Sequence, residues 1–146
     1  CAGMKKGNLL LNLLIAGLLC FIWGNSLMTG AESGSVSGGI LAWLGQFFPG
    51  LMTEEGHHFL RKAAHFSEFF LLGALCALRR ERLGTGWSFG LNGFGLMTAC
   101  IDETIQIYVP GRGSSLLDAW LDTAGFTAGA AVIAVGYAIL KKRKET

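Results

Sequence analysis

One stretch constrains this chain more than any other, because it is ionisable along one helical stripe and apolar beyond it. Glu54, His58, Arg61, His65 and Glu68 recur at steps of 4, 3, 4 and 3, the spacing of a single helix face. The same stripe turns apolar at Leu72 and Leu75. A helix polar at one end and apolar at the other is suited to entering a bilayer. Ionisable groups at such depth are costly and normally face partners or a water-filled cavity. The rest of the chain must then supply those partners.

Composition agrees with a membrane setting. Of the 146 residues, 51% are hydrophobic and 15% charged, against about 25% charged in soluble proteins. Mean hydropathy is +0.47, and many of the 22 glycines lie inside apolar segments. The expectation is one all-α domain over residues 1–146, a small polytopic membrane protein. A net charge of +2 gives a nucleic-acid partner no support. Cys20, Cys76 and Cys100 each fall in an apolar helix, where a thiol acts as a small hydrophobe rather than part of a disulfide framework. Cys1 precedes Ala2-Gly3-Met4, so Met4 is the expected natural start. Leu19 stands where a lipidation signal ahead of Cys20 would need a small residue, and no lipid anchor is expected.

Four transmembrane helices are predicted, at about 8–27, 53–80, 87–109 and 115–140. The first follows Lys5 and Lys6 and has no small-x-small cleavage site after it, so it reads as an uncleaved span rather than a signal peptide. Residues 28–53 form the longest loop, rich in Gly and Ser from Gly30 to Gly39. Within it, Ile40 to Phe48 is too short to span and stops at Pro49-Gly50. That suits a short interfacial or re-entrant helix in the first extracytoplasmic loop, either a lid over the helix ends or the wall of a groove. Thr53 is the predicted N-cap of the second span, with Glu54 and Glu55 at the positive end of the helix dipole. The third closes with Asp102-Glu103-Thr104-Ile105-Gln106 and turns at Pro110-Gly111-Arg112-Gly113. The fourth starts at Ser114 or Ser115 with Asp118 as a capping-box-like partner, and carries Gly125 and Gly129 as a GxxxG packing face.

Basic residues orient these spans. Lys5, Lys6, Arg79, Arg80, Arg82, Lys141, Lys142, Arg143 and Lys144 fall on one side, and only Arg61, Lys62 and Arg112 on the other. The positive-inside rule therefore places both termini in the cytoplasm. Trp23, Trp87, Trp120, Tyr108 and Tyr137 fall near the predicted interfaces, as aromatic belts do.

That topology brings polar residues of three spans to one depth near the extracytoplasmic face. The candidates for catalysis are His65, Glu68, Asp102, Glu103 and Asp118; His65, one turn from Glu68, suits proton transfer or ligation. The candidates for ligand binding are Arg61, Lys62, Gln106, Arg112 and Asp122, in which the three cations are anion clamps. His57 and His58 are expected to be solvated. Asp102 and Glu103 are adjacent and point about 100° apart, so only one need face the site. The structural alternative is an ion-pair network, pairing Arg112 with Asp118 and Arg61 or Lys62 with Glu103, because buried charges must be paired whatever the function. His65, Glu68, Asp118 and Asp122 have the donors for a hard divalent cation. No compact metal motif is present, however, and neither metal nor cofactor is expected. A local nucleophile–base pair is also lacking.

These residues resemble the VanZ-like family, whose first member is associated with resistance to the glycopeptide teicoplanin. The resemblance rests on R-K-A-A-H-F-S-E-F-F-L-L-G, then D-E-T-I-Q, then V-P-G-R-G-S-S-L-L-D-A-W-L-D-T-A-G, and covers most of the chain. His65, Asp102, Glu103, Gln106, Arg112, Asp118 and Gly125 match family positions. Phe69 and Asp122 depart from it, standing where the family usually has Tyr and Asn. The resemblance implies a protein of the bacterial cytoplasmic membrane with a role in teicoplanin resistance, a phenotype rather than a reaction. Three functions follow from residues and resemblance together. One is binding or protection of an outer-leaflet ligand, such as a lipid-linked cell-wall precursor or a glycopeptide, among membrane lipids. Another is an enzyme acting on a phosphorylated lipid or cell-wall precursor. A small transporter is less favoured, because the inner half lacks matching charges and only Asn92 is clearly polar there.

Overall fold

The computed structural model describes residues 2–46, 53–85 and 88–144. They form five helices: α1 (Ala2–Ser26), α2 (Gly30–Gly45), α3 (Glu54–Arg82), α4 (Phe89–Ile107) and α5 (Leu116–Lys144). Among the described residues there is no strand. The four long helices stand where the hydropathy pattern places them, with ends shifted by a few residues. Thr53 caps α3 as expected, its hydroxyl accepting from the Gly56 N–H at 3.1 Å. Trp87 lies outside the described residues.

The loop expected at 28–53 is the main correction. Helix α2 begins at Gly30, ten residues before the apolar run at Ile40 that had marked it. Thr29 and Glu32 build a reciprocal capping box. The Glu32 carboxylate accepts from the Thr29 N–H at 2.8 Å and hydroxyl at 2.9 Å, while the Thr29 hydroxyl accepts from the Glu32 N–H at 3.3 Å. That cap starts a helix through a Gly/Ser-rich stretch that propensity alone reads as loop. Gly30 also donates its N–H to the Pro110 carbonyl at 3.1 Å. A Cβ at Gly30 would sit 2.2 Å from the Gly111 carbonyl oxygen, so glycine is required there. Gly111 itself turns the chain with φ +75°. Helix α2 is thereby tied to the α4–α5 turn. Phe47, Phe48 and Pro49 lie outside the described residues.

Among the described residues two helices are long and apolar enough to cross a membrane, Gly7–Ser26 and Leu116–Arg143. Helix α3 is charged at both ends, and α4 ends in Asp102, Glu103 and Gln106, so neither is as uniformly apolar. The outer surface is apolar too: Leu9, Leu13 and Phe21 on α1 and Val132, Val135 and Ile139 on α5 are exposed.

The core runs along the seam between α3 and α5, where backbones touch through glycine. Cβ atoms built at Gly73 and Gly129 would lie 1.9 Å from the carbonyl oxygens of Phe126 and Phe70. One at Gly125 would lie 2.6 Å from that of Phe66. Phe69, Leu72, Phe126 and Ala130 are fully buried there, with Ile22 of α1 and Ala99 of α4 closing the sides. Phe126 meets Phe94 edge-on at 6.2 Å, over Gly95, where any Cβ would strike the Phe126 ring. Small residues thus set how closely α3, α4 and α5 approach. At the far end from the polar cluster, Arg79 donates to the Asn12 side chain. Asn12 is a polar partner at that end of the bundle beyond the expected Asn92.

Candidate functional site

All ten candidate residues lie at one end of the bundle, where α1 ends, α3 enters, α4 ends and α5 begins. Their pairings differ from those expected. Lys62, not Arg112, binds Asp118, at 2.9 Å and half-exposed. Neither Arg61 nor Lys62 holds Glu103. Its carboxylate instead accepts the Ser115 N–H at 2.7 Å, capping α5 from the neighbouring helix. Asp118 therefore does not close the expected capping box. A carboxylate from α4 has taken that place, satisfying an otherwise orphaned N–H and opposing the positive end of the helix dipole.

Arg112 also does work that the sequence does not announce. Its Nε donates to the Met28 carbonyl at 3.0 Å and its Nη2 to the Asn25 carbonyl at 2.8 Å. A cation thus closes the C-terminal end of α1, where carbonyls lack intrahelical partners. Burial, and then the neighbouring Arg61, hold the Arg112 guanidinium below its ordinary pKa. Its Nη1 has no hydrogen-bond partner among the described residues.

Asp102, not Glu103, is the deeper carboxylate. It is fully buried, and accepts from the Ser26 hydroxyl at 2.7 Å and from the Gln106 amide at 3.0 Å. Gln106 thus orients its neighbour, one turn away. His65 Nδ1 lies 3.8 Å from the Asp102 Oδ2. Glu68 accepts from the Asn25 amide at 2.9 Å. Asp122, 1% exposed, reaches the same place from α5, and its Oδ1 finds no hydrogen-bond partner among the described residues. Asn25 and Ser26 were missed by sequence reasoning, which assigned no polar role to the first span. Their signal was two adjacent hydrogen-bonding side chains at the outer end of an apolar helix.

Two hollows meet at Arg61 and His65. A recess of about 10 Å³, room for about one water, opens between α3, α4 and α5, against Lys62, Gln106, Asp118 and Asp122. A groove of about 460 Å³ opens on the other side, between the end of α1, α2 and α3. Its wall is mostly apolar, from Phe21, Met28, Leu60 and Ala64. Its polar edge is made by Arg61, His65, Glu68 and Arg112. The arrangement can hold an amphiphile, with an anionic group at the guanidinium edge and a hydrocarbon chain along the wall. It also sets an imidazole and a carboxylate at the junction, where a proton can be taken or given.

Compared with known proteins, the sequence matches the family model described as VanZ/LLP1 over residues 11–139, most of the chain. No curated protein and no solved structure matches it.

Proposed function

Because the chain belongs to the VanZ/LLP1 family, we propose that it is a multi-pass protein of the bacterial cytoplasmic membrane that binds a lipid-linked anionic ligand of the outer leaflet. Helices α1, α3, α4 and α5 are its four spans, α2 lies at the outer interface, and both termini are cytoplasmic. Binding at the groove shields or retains a cell-wall precursor and so supports resistance to teicoplanin. The observation that carries this reading is the groove of about 460 Å³, apolar along its wall and edged by Arg61 and by Arg112, whose Nη1 is unpartnered among the described residues. Guanidinium groups suit phosphate and diphosphate by their planar donor fork. A hydrocarbon chain lying against Phe21, Met28 and Leu60 continues naturally into the bilayer.

The test is native mass spectrometry of the purified protein with a polyprenyl diphosphate, beside teicoplanin susceptibility of cells that express it. Wild type should retain the lipid, and Arg61→Gln should lose both lipid and resistance while folding normally. A variant that keeps full resistance removes the groove from the function. Topology has its own check. A cysteine introduced between residues 30 and 45 should be labelled in intact cells, and one between 83 and 85 should not.

The second reading is an enzyme on the same lipid. Its support is His65 Nδ1 and Glu68 Oε2, both buried without a hydrogen-bond partner among the described residues, beside the groove. Such groups suit a general base on an attacking water and a general acid to the leaving polyprenyl monophosphate as the P–O–P anhydride bond breaks. Release of inorganic phosphate from the polyprenyl diphosphate, lost in His65→Gln, would favour it over binding alone.

A further inference from the structure

Helices α3, α4 and α5 each place one metal-ligating side chain at the same point. One donor atom from each of His65, Asp102 and Asp122 lies within 4.8 Å of the other two. We propose that these three residues bind a single borderline divalent cation, Zn²⁺ or its like, with the fourth coordination position open to the small recess. The inference stands on this triad alone and does not depend on the lipid reading.

Three observations support the site. The first is donor chemistry: one imidazole nitrogen and two carboxylate oxygens form a three-ligand set that leaves Zn²⁺ a position for water or substrate. An imidazole in the set also argues against Ca²⁺ or Mg²⁺, which prefer oxygen throughout. The second is an unmet need. Asp122 is 1% exposed, yet its Oδ1 is unpartnered among the described residues, as is His65 Nδ1. Two cations nearby are committed elsewhere, Arg112 on backbone carbonyls and half-exposed Lys62 on Asp118. Two carboxylates brought together in a buried place repel each other. A divalent cation would leave a neutral imidazole and two carboxylates with no net charge. The third is support behind the ligands: Ser26 and Gln106 both hydrogen-bond Asp102, the outer contacts that orient metal ligands. A carboxylate has lone pairs to spare for a cation beyond those two bonds.

The geometry is near closure. His65 Nδ1 and Asp102 Oδ2 are 3.8 Å apart, and ligand atoms around tetrahedral Zn²⁺ are separated by roughly 3.3 Å. The His65–Asp102 pair closes by about half an ångström, and the Asp122 carboxylate, within 4.8 Å of both, by at most about 1.5 Å. The recess bordered by His65 and Asp122 has room for about one water in the open position.

Purified full-length protein, stripped with chelator, is titrated with Co²⁺ and then Zn²⁺. One equivalent of Co²⁺ should give the visible d–d bands of a tetrahedral nitrogen and oxygen site, and Zn²⁺ should displace it. His65→Gln and Asp122→Asn should each weaken binding by at least 100-fold, while Glu68→Gln and Asp118→Asn should not. Those two controls separate this triad from other carboxylates at the same end. Circular dichroism of each stripped variant reports folding. Should the ligand variants fail to fold, the wild-type spectrum decides alone. The proposal is overturned by absence of stoichiometric Co²⁺ bands, by thiolate charge-transfer absorption placing the ion on a cysteine, or by undiminished binding in folded His65→Gln and Asp122→Asn. A metal-loaded protein that retains no polyprenyl diphosphate would count against the lipid reading and leave the metal site standing.

Discussion

The seam between α3 and α5 and the wall formed by α1 and α2 are built on opposite terms. In the seam, glycine lets backbone meet backbone, and Phe69, Leu72 and Phe126 are fully buried. In the wall, Gly17 and Gly24 of α1 face open space; α1 packs on the core through Ile15, Leu18 and Ile22, and hydrogen bonds tie its end: Ser26 to Asp102, Asn25 to Glu68, Arg112 to two carbonyls. The metal-ligating triad is carried on the seam helices and α4, and the groove lies between seam and wall. A close-packed interface holds its side chains to one arrangement, which chemistry needs. The wall meets its neighbours through side chains and end hydrogen bonds rather than backbone on backbone, which leaves room for a groove beside it.

The largest expected effect breaks the seam. Gly129→Leu forces a side chain into the Phe70 carbonyl and should cost more than about 3 kcal/mol, the upper range for overpacking. Loss of folded protein on thermal unfolding in detergent would report it. Gly17→Ala, made in open space, should leave the melt unchanged. Similar melts for the two variants would erase the contrast between the regions.

Loosening the wall comes next. Arg112→Ala removes two charge-assisted bonds from the end of α1, at about 1.5–3 kcal/mol for hydrogen bonds to charged groups. Hydrogen exchange should rise at residues 25–33 and stay constant at 66–77. A uniform rise would mean that seam and wall unfold together.

Ser26→Ala is a smaller change. It takes one hydrogen bond from Asp102 and should cost about 1 kcal/mol or less, as interhelical bonds in membranes do. Because Gln106 still holds the carboxylate, Co²⁺ affinity should fall by less than in His65→Gln.

The smallest effect is local to the start of α2. The Thr29 N–H and then its hydroxyl hold Glu32 below the ordinary carboxyl pKa of 4.5. A depressed value means that the cap is fully present above 4.5 and lost as pH falls through the lower folded value. The Thr29 amide chemical shift should therefore titrate below pH 4.5, with the seam unaffected.

Thr29-Gly-Ala-Glu32 was a legible capping box, and composition hid it, because a Gly/Ser-rich run reads as loop until its first turn is examined. Asp102 and Glu103 show the opposite limit. Adjacent residues on a helix point about 100° apart, so one was bound to face inward. Which one depends on how α4 is rotated against α5. That rotation comes from Gly95 under the Phe126 ring, a contact between distant residues.

By itself the sequence determined the four long helices, the polar stripe of α3, the meeting of charged residues at one end and the family. Each of these is written in local periodicity or in motifs read along the chain. The tertiary structure alone decided the partners. Glu103 went to the α5 cap, Lys62 to Asp118 and Arg112 to the end of α1, while Asp122 came within 4.8 Å of His65 and Asp102. The reason is geometric: a side chain's depth follows from its place in its own helix, but its neighbour follows from how two helices pack, which the glycine seam sets.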